Sequence, residues 1–379
     1  METKFEDLEF ADTDLEHNEN QIDNVTIDDI PKEERILRTQ AYDKSVSDVV
    51  AMINNGDIDL NPDYQRNYIW DNKKSSLLIE SLLLNVPIPV VYVAEDEDSR
   101  WNVVDGLQRL ETLRRFFSNE FKLRGLEVLK ELNGVQYSQL NPKAARILRN
   151  GILRIILIFR ESHPDIKYEI FMRLNRGSIR LTEQELRNCL YRGTFNELLK
   201  ELRENKKFLE MIGLTEPHKR MSDAELILRY FTISDSYDFK ANQLSEEYTG
   251  KVVSSMNKFI EKKRKASHAE ISNLRRRFDS TVDKVYEIFG DDAFKKFNPD
   301  GSLDSLRVNR AIMDIVMVSF EHFEKQRLVQ AKNEIRALLR DLPIQDPVFL
   351  DAITFGISDR KQLEYRLSVW TKRLNNLLG

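Results

Sequence analysis

Within five residues, Asp105-Gly106-Leu107-Gln108-Arg109 gathers a carboxylate, a glycine, an amide and a guanidinium where an apolar run meets an amphipathic one. Trp101, Val103 and Val104 lead in with strand character, and Leu110, Leu113, Phe116 and Phe117 follow at helical spacing. A turn at a helix start leaves amide hydrogens without intrahelical partners, and the helix dipole adds roughly half a positive charge there. The chemistry this favours is anion binding. Gly106 lets the backbone turn tightly and approach a ligand, Gln108 can donate from its amide, and Arg109 can clasp a phosphate bidentately. Asp105 can hold a divalent ion on the phosphates or orient an attacking water, while helix capping needs the same residue at nearly the same place. If Arg109 is an exposed clamp, Arg109→Ala is expected to lose phosphate affinity and keep the fold.

Two further polar turns carry arginine. Upstream, Asn61-Pro62-Asp63-Tyr64-Gln65-Arg66-Asn67-Tyr68-Ile69-Trp70 precedes a helix through Leu77, Leu78, Leu82 and Leu83. Tyr64, Gln65, Arg66 and Tyr68 can supply a base-stacking face and a second phosphate clamp, or form an aromatic loop packed on the core. Trp70 is expected in the core. Downstream, Phe171-Met172-Arg173-Leu174-Asn175-Arg176-Gly177 ends a helix at a glycine stop, and Thr182 with Glu185 opens the next as a capping box. Asn175 and Arg176 can close a pocket opposite the Asp-Gly turn. Lys73 and Lys74, at an exposed helix start, either reach phosphate or are simply solvated.

In this order, YQRxYxW, VDGxQR and FxRLNRGxxxLxxQELRN resemble the N-terminal domain of the GmrSD family of modification-dependent restriction proteins, part of the wider ParB/sulfiredoxin-like group. The resemblance implies an α/β fold with a ParB/sulfiredoxin-like mixed-sheet core, a bound nucleoside triphosphate with a divalent cation such as Mg2+, and triphosphate hydrolysis in defence against phage DNA. Asp105, Gly106, Gln108 and Arg109 match the family's Asp-Gly-Gln-Gln-Arg motif, and Leu107 replaces its first Gln. That departure leaves phosphate binding in place and puts efficient hydrolysis in doubt. On this reading Asp105, Gln108 and Arg109 are the catalytic residues, with Asp105 also the metal ligand. Gly106, Tyr64, Gln65, Arg66, Asn175 and Arg176 bind the nucleotide. DNA and a protein bearing a nuclease are the implied partners.

At 379 residues the chain is long enough for two domains, each with its own core. A net charge of −5 excludes a globally basic nucleic-acid binder, but the charge is unevenly spread. Residues 1–35 hold 13 acidic against 3 basic side chains, so the remainder is mildly basic. This acidic stretch reads as a disordered tail, solubilising or shielding a basic groove. No signal peptide or long apolar run appears, so a soluble cytoplasmic protein without a membrane partner is expected. Cys189 is the only cysteine and sits in an apolar-periodic stretch, which favours a buried, inert thiol. The five histidines have no metal-ligand spacing, and there is no GxxxxGK[ST] loop. The basic stretches Lys262–Lys265 and Arg275–Arg277 are interrupted by acids and read as solvated helix faces.

The pattern places a short helix over Val46–Asn54 and a hairpin of Val86–Ala94 with Arg100–Val104. It also places a strand over Ile152–Phe159, apolar almost throughout and so buried on both faces. An α/β domain over residues 36–200 is followed by a mostly α-helical domain over 201–379, where Leu226, Ile227, Tyr230 and Phe231, then Ile312, Ile315, Val316 and Phe320, recur at helical spacing. Three functions fit these residues. The first is a nucleotide-binding, NTP-hydrolysing module that senses or regulates action on phage or modified DNA. The second is a DNA nuclease of the ParB-like type, and the third is a non-enzymatic, nucleotide-gated DNA clamp.

Overall fold

The computed structural model describes residues 36–379 apart from 61–69, 97, 175–181, 247, 249, 299, 301 and 304–306. Two compact units meet in the chain between Arg192 and Gly193. The first is α/β. Its strands are β1 (Thr39–Ser45), β2 (Ile58–Asp59), β3 (Val91–Glu95), β4 (Trp101–Asp105) and β5 (Ile152–Ile158). Its helices are α1 (Val46–Asn55), α2 (Asn72–Leu83), α3 (Leu107–Phe117), α4 (Pro142–Asn150), α5 (Pro164–Leu174) and α6 (Glu183–Leu190). The five strands form one mixed sheet in the order β1-β5-β3-β4-β2. Strands β1 and β5 pair antiparallel, as do β3 and β4, whereas β3 with β5 and β2 with β4 run parallel.

Local sequence explains the helix ends. Ser45 accepts the Asp48 amide at the start of α1, and Gly56 ends that helix at φ +80°. Asp71 caps α2 through the Lys74 amide at 2.7 Å. Val46, Val49, Val50 and Ile53 give α1 its buried stripe, which joins Val91, Val103, Leu110, Leu113, Phe116 and Ile155 in one core. The sheet curls strongly: Tyr42 on the edge strand β1 packs its ring 5.4 Å from Trp101 of β4, although two strands lie between them. Buried Glu80 on α2 ties down the loop after α3, accepting the backbone N–H groups of Glu127, Val128 and Leu129.

Three expectations need correction. The strand expected from Val86 begins only at Val91, because Pro87 and Pro89 lack the N–H a ladder requires. Strand β5 is not buried on both faces. Ile152 is 58% exposed, and Arg154 reaches across an open face to form a two-pronged pair with Asp43 of β1. Trp70 is partly buried and lies outside the core cluster. The capping box of Thr182 and Glu185 forms as expected, while the side chain of Cys189 lies outside what is described.

The second unit is helical: α7 (Thr194–Leu202), α8 (Lys206–Met211), α9 (Ser222–Ser236), α10 (Val252–Lys263), α11 (His268–Phe289), α12 (Arg310–Phe320), α13 (Lys325–Gln330), α14 (Lys332–Gln345), α15 (Pro347–Thr354) and α16 (Arg360–Leu378). A two-stranded ribbon, β6 (Tyr237–Asp238) with β7 (Gln243–Leu244), interrupts them. Helices α9 and α12 bury the apolar positions expected of them. Between them Asp314 takes a two-pronged pair from Arg229 at 2.8 Å and another bond from Arg366 of α16 at 2.6 Å. Burial pulls the Arg366 guanidinium below its ordinary value, against the raising effect of Asp314. The basic stretches read as solvated are largely ion-paired: Arg275 with Glu201, Arg277 with Asp235 and Glu321, and Lys263 with Glu270. No helix among the described residues is long and apolar enough to cross a membrane.

Candidate functional site

The strand-to-helix junction forms as the alternation and its break at Gly106 require. Strand β4 ends at Asp105, Gly106 adopts the left-handed conformation at φ +104°, and α3 starts at Leu107. A β-carbon at Gly106 would sit 2.9 Å from Val91 Cγ2 and 3.3 Å from Arg109 Nη2, so the turn excludes any side chain. The first bond inside α3 runs from the Leu110 amide to the Gly106 carbonyl at 2.9 Å. Amide hydrogens ahead of Leu110 therefore have no partner within the helix, and a glycine at the N-cap brings no side chain to cover them. That open helix start is what an anion needs.

Arg109 departs from the expected free clamp. Its side chain is 12% exposed, and its Nη2 donates to Asp105 Oδ2 at 2.8 Å. Its Nη1 donates to the carbonyls of Pro89 and Val90, just ahead of β3. The guanidinium thus fastens the end of β4 to the segment leading into β3. An Arg109 this enclosed is not the exposed clamp that was expected, and its bonds join parts of the turn. Nor does Asp105 cap α3. Gly106 occupies the cap, and the Asp105 carboxylate, 47% exposed, lies back on Arg109 with part of its surface open to solvent.

Gln108 is held from another direction. Its Oε1 accepts the Trp70 amide at 3.3 Å, which links the start of α3 to the segment entering α2. The Lys74 ammonium lies 5.0 Å from the centre of the Trp70 ring. Lys73, the other cation in the first turn of α2, lays its stem along Gly125, where a β-carbon would meet its Cγ at 3.0 Å. Trp70 thus joins the two helix starts, its backbone amide on Gln108 and its ring under Lys74, a link that spacing in the sequence does not reveal. Leu107 packs against the domain core, which gives the departure from the family's Gln a physical use.

Residues 46–192 match the model of the GmrSD restriction endonuclease N-terminal domain. This segment of the chain is similar to a GmrSD-type N-terminal domain. Its bounds take in all five strands except β1 and every helix of the first unit. No curated protein and no solved structure matches the chain.

Within the matched segment, the expected nucleotide contacts Tyr64, Gln65 and Arg66 lie outside the described residues, as do Asn175, Arg176 and the stop at Gly177. Their described flanks are placed. Trp70 is joined to Gln108, and helix α6, which follows the second of these segments, packs against β4. Arg192, just beyond α6, pairs with Asp59 of β2, the strand beside β4. Among the described residues no group of three His, Cys, Asp or Glu side chains converges as a metal site.

Proposed function

We propose that the Asp105–Arg109 turn binds the phosphates of a nucleoside triphosphate, and that the domain uses nucleotide state to regulate action on foreign DNA. The observation that carries this reading is the start of α3 at left-handed Gly106, which has no side-chain cap and lies beside the partly exposed Asp105 carboxylate. Anionic oxygens would accept from the first amides of α3 and from the Gln108 amide group, in the positive potential of the helix start. Arg109 would act from behind, fixing Asp105 and the turn. A divalent cation on the phosphates would be held by Asp105 and would neutralise charge as the terminal phosphoryl group is transferred to water.

The family of restriction proteins supports the link to DNA. The experiment is calorimetric titration with each of the four ribonucleoside triphosphates and Mg2+, paired with a phosphate-release assay. Binding at micromolar concentration that weakens in Asp105→Asn supports the site. Absence of binding by all four refutes it. Binding without phosphate release would leave a nucleotide-gated module and remove hydrolysis.

A further inference from the structure

We propose that the exposed face of helix α4 is a docking surface for the phosphate backbone of duplex DNA, with Lys143, Arg146 and Arg149 as its contacts. From Leu132 to Arg160 the sequence holds five basic residues and no acidic one, in a chain whose acids outnumber its bases. The fold puts three of the five on one helix. Lys143, Arg146 and Arg149 recur every third residue, and all three are exposed. At 3.6 residues per turn they span an arc of about 120°. The other two basic residues have ion-pair partners, Arg154 with Asp43 and Arg160 with Glu161. Among the described residues Lys143, Arg146 and Arg149 form no ion pair.

This arrangement works against the helix that carries it. Like charges three residues apart repel, and Lys143 in the first turn opposes the helix dipole. Only Leu148 of α4 is buried, so the charged face contributes no packing. A polyanion bound across the face would turn these penalties into attraction. Topology brings the surface to the candidate site. Helix α4 ends at Gly151, directly before β5, and β5 pairs in parallel with β3 so that Ile155 faces Val91. Tyr92, the next residue of β3, faces Asp105. The end of α4 and the Asp105 turn therefore belong to one rim of the sheet.

Duplex DNA, rather than another polyanion, is chosen because the matched segment is similar to a domain of a restriction family, so the choice shares that part of the proposed function. It does not use the nucleotide pocket. The test is binding of a short fluorescent DNA duplex to the full chain, without nucleotide, at several salt concentrations. The wild type is compared with Lys143→Gln/Arg146→Gln/Arg149→Gln and with Arg146→Lys. Three phosphate contacts each contribute about 0.9 to the slope of log affinity against log salt, so the triple variant should lose about 2.7 of slope. The wild type should then lose about 40-fold more affinity than the triple variant between about 50 and 200 mM salt. Arg146→Lys should keep the wild-type slope. If the triple variant proves unfolded by circular dichroism, the three single Gln variants replace it, each expected to lose about 0.9. Equal slopes in folded variants, no binding of DNA by the wild type, or binding of heparin in place of DNA would each overturn the proposal. Nucleotide titration of the same variants should be unchanged, so failure of the pocket and failure of this surface register separately.

Discussion

Replacing Arg109 by alanine should weaken the fold as well as any nucleotide binding, and the structure sets the size of the effect. The bond to Asp105 joins a side chain that is 12% exposed to one that is 47% exposed. Such a half-open pair contributes up to about 1 kcal/mol. The bonds to the Pro89 and Val90 carbonyls involve a charged donor, for which about 1.5–3 kcal/mol each is usual. Pro89 is exposed, so water replaces much of what is lost there. Together these give about 2–4 kcal/mol, or roughly 4–16 °C in the melting of a unit of this size.

The chain has two units and need not unfold in one step, so a global melt is an incomplete assay. Hydrogen exchange resolves the effect locally. In Arg109→Ala the amides at the end of β4 and the start of β3 should exchange faster, while those of α12 and α16 should not change. Asp105→Asn, which removes only the half-open pair, should lose no more than about 1 kcal/mol. If Arg109→Ala loses nucleotide affinity with unchanged exchange and melting, Arg109 is a free clamp after all, and its assignment as a brace is wrong.

Gly106→Ala places a β-carbon 2.9 Å from Val91 in a left-handed turn, so it should destabilise the domain by about 3 kcal/mol and abolish nucleotide binding; urea unfolding checks the first and titration the second. Leu107→Gln restores the family's residue and should raise the rate of phosphate release without tightening binding, at a loss of about 1 kcal/mol of packing; an unchanged or lower rate would show that Leu107 is needed beneath the turn. Burial raises the Glu80 carboxyl, but three backbone N–H donors more than offset this and hold it below its ordinary value. Because the folded value is the lower one, Glu80 stabilises fully above the unfolded carboxylate pKa of about 4.3, and that contribution disappears as pH falls through the folded value. The stability gap between wild type and Glu80→Gln, measured by urea unfolding, should therefore narrow between about pH 6 and pH 3; a constant gap would remove the carboxylate from the loop's support.

The strand, turn and helix around Gly106 were legible because the apolar period changes there from two residues to about three and a half, and local chemistry alone sets that change. Helices α9 and α12 were legible for the same reason. What the sequence hid at the site was long-range. Arg109 finds its carbonyl partners twenty and nineteen residues upstream, and no spacing rule connects them. Extending β3 back to Val86 hid those partners, since a strand residue commits its carbonyl to the ladder. Pro87 and Pro89 keep residues 86–90 out of the sheet, and the carbonyls of Pro89 and Val90 remain available to a guanidinium. The prolines and the position of Arg109 are thus parts of one device.

The charge on α4 was hidden differently. All its residues lie in one continuous stretch, but an overall charge of −5 and an acidic first segment mask a local basic run. The run from Leu132 to Arg160 has no acid, and helix α4 puts three of its cations on one face. Arg109 and the α4 cations stand in opposite surroundings. Arg109 is enclosed and paired, so its charge fixes geometry and changes little when a ligand arrives. Lys143, Arg146 and Arg149 are exposed and carry no ion pair among the described residues, so their charge is available for exchange with solvent ions. A guanidinium already bonded to a carboxylate and two carbonyls adds little to a salt-dependent affinity, whereas on the proposed docking each solvated cation on α4 would add its share by displacing counterions from the DNA.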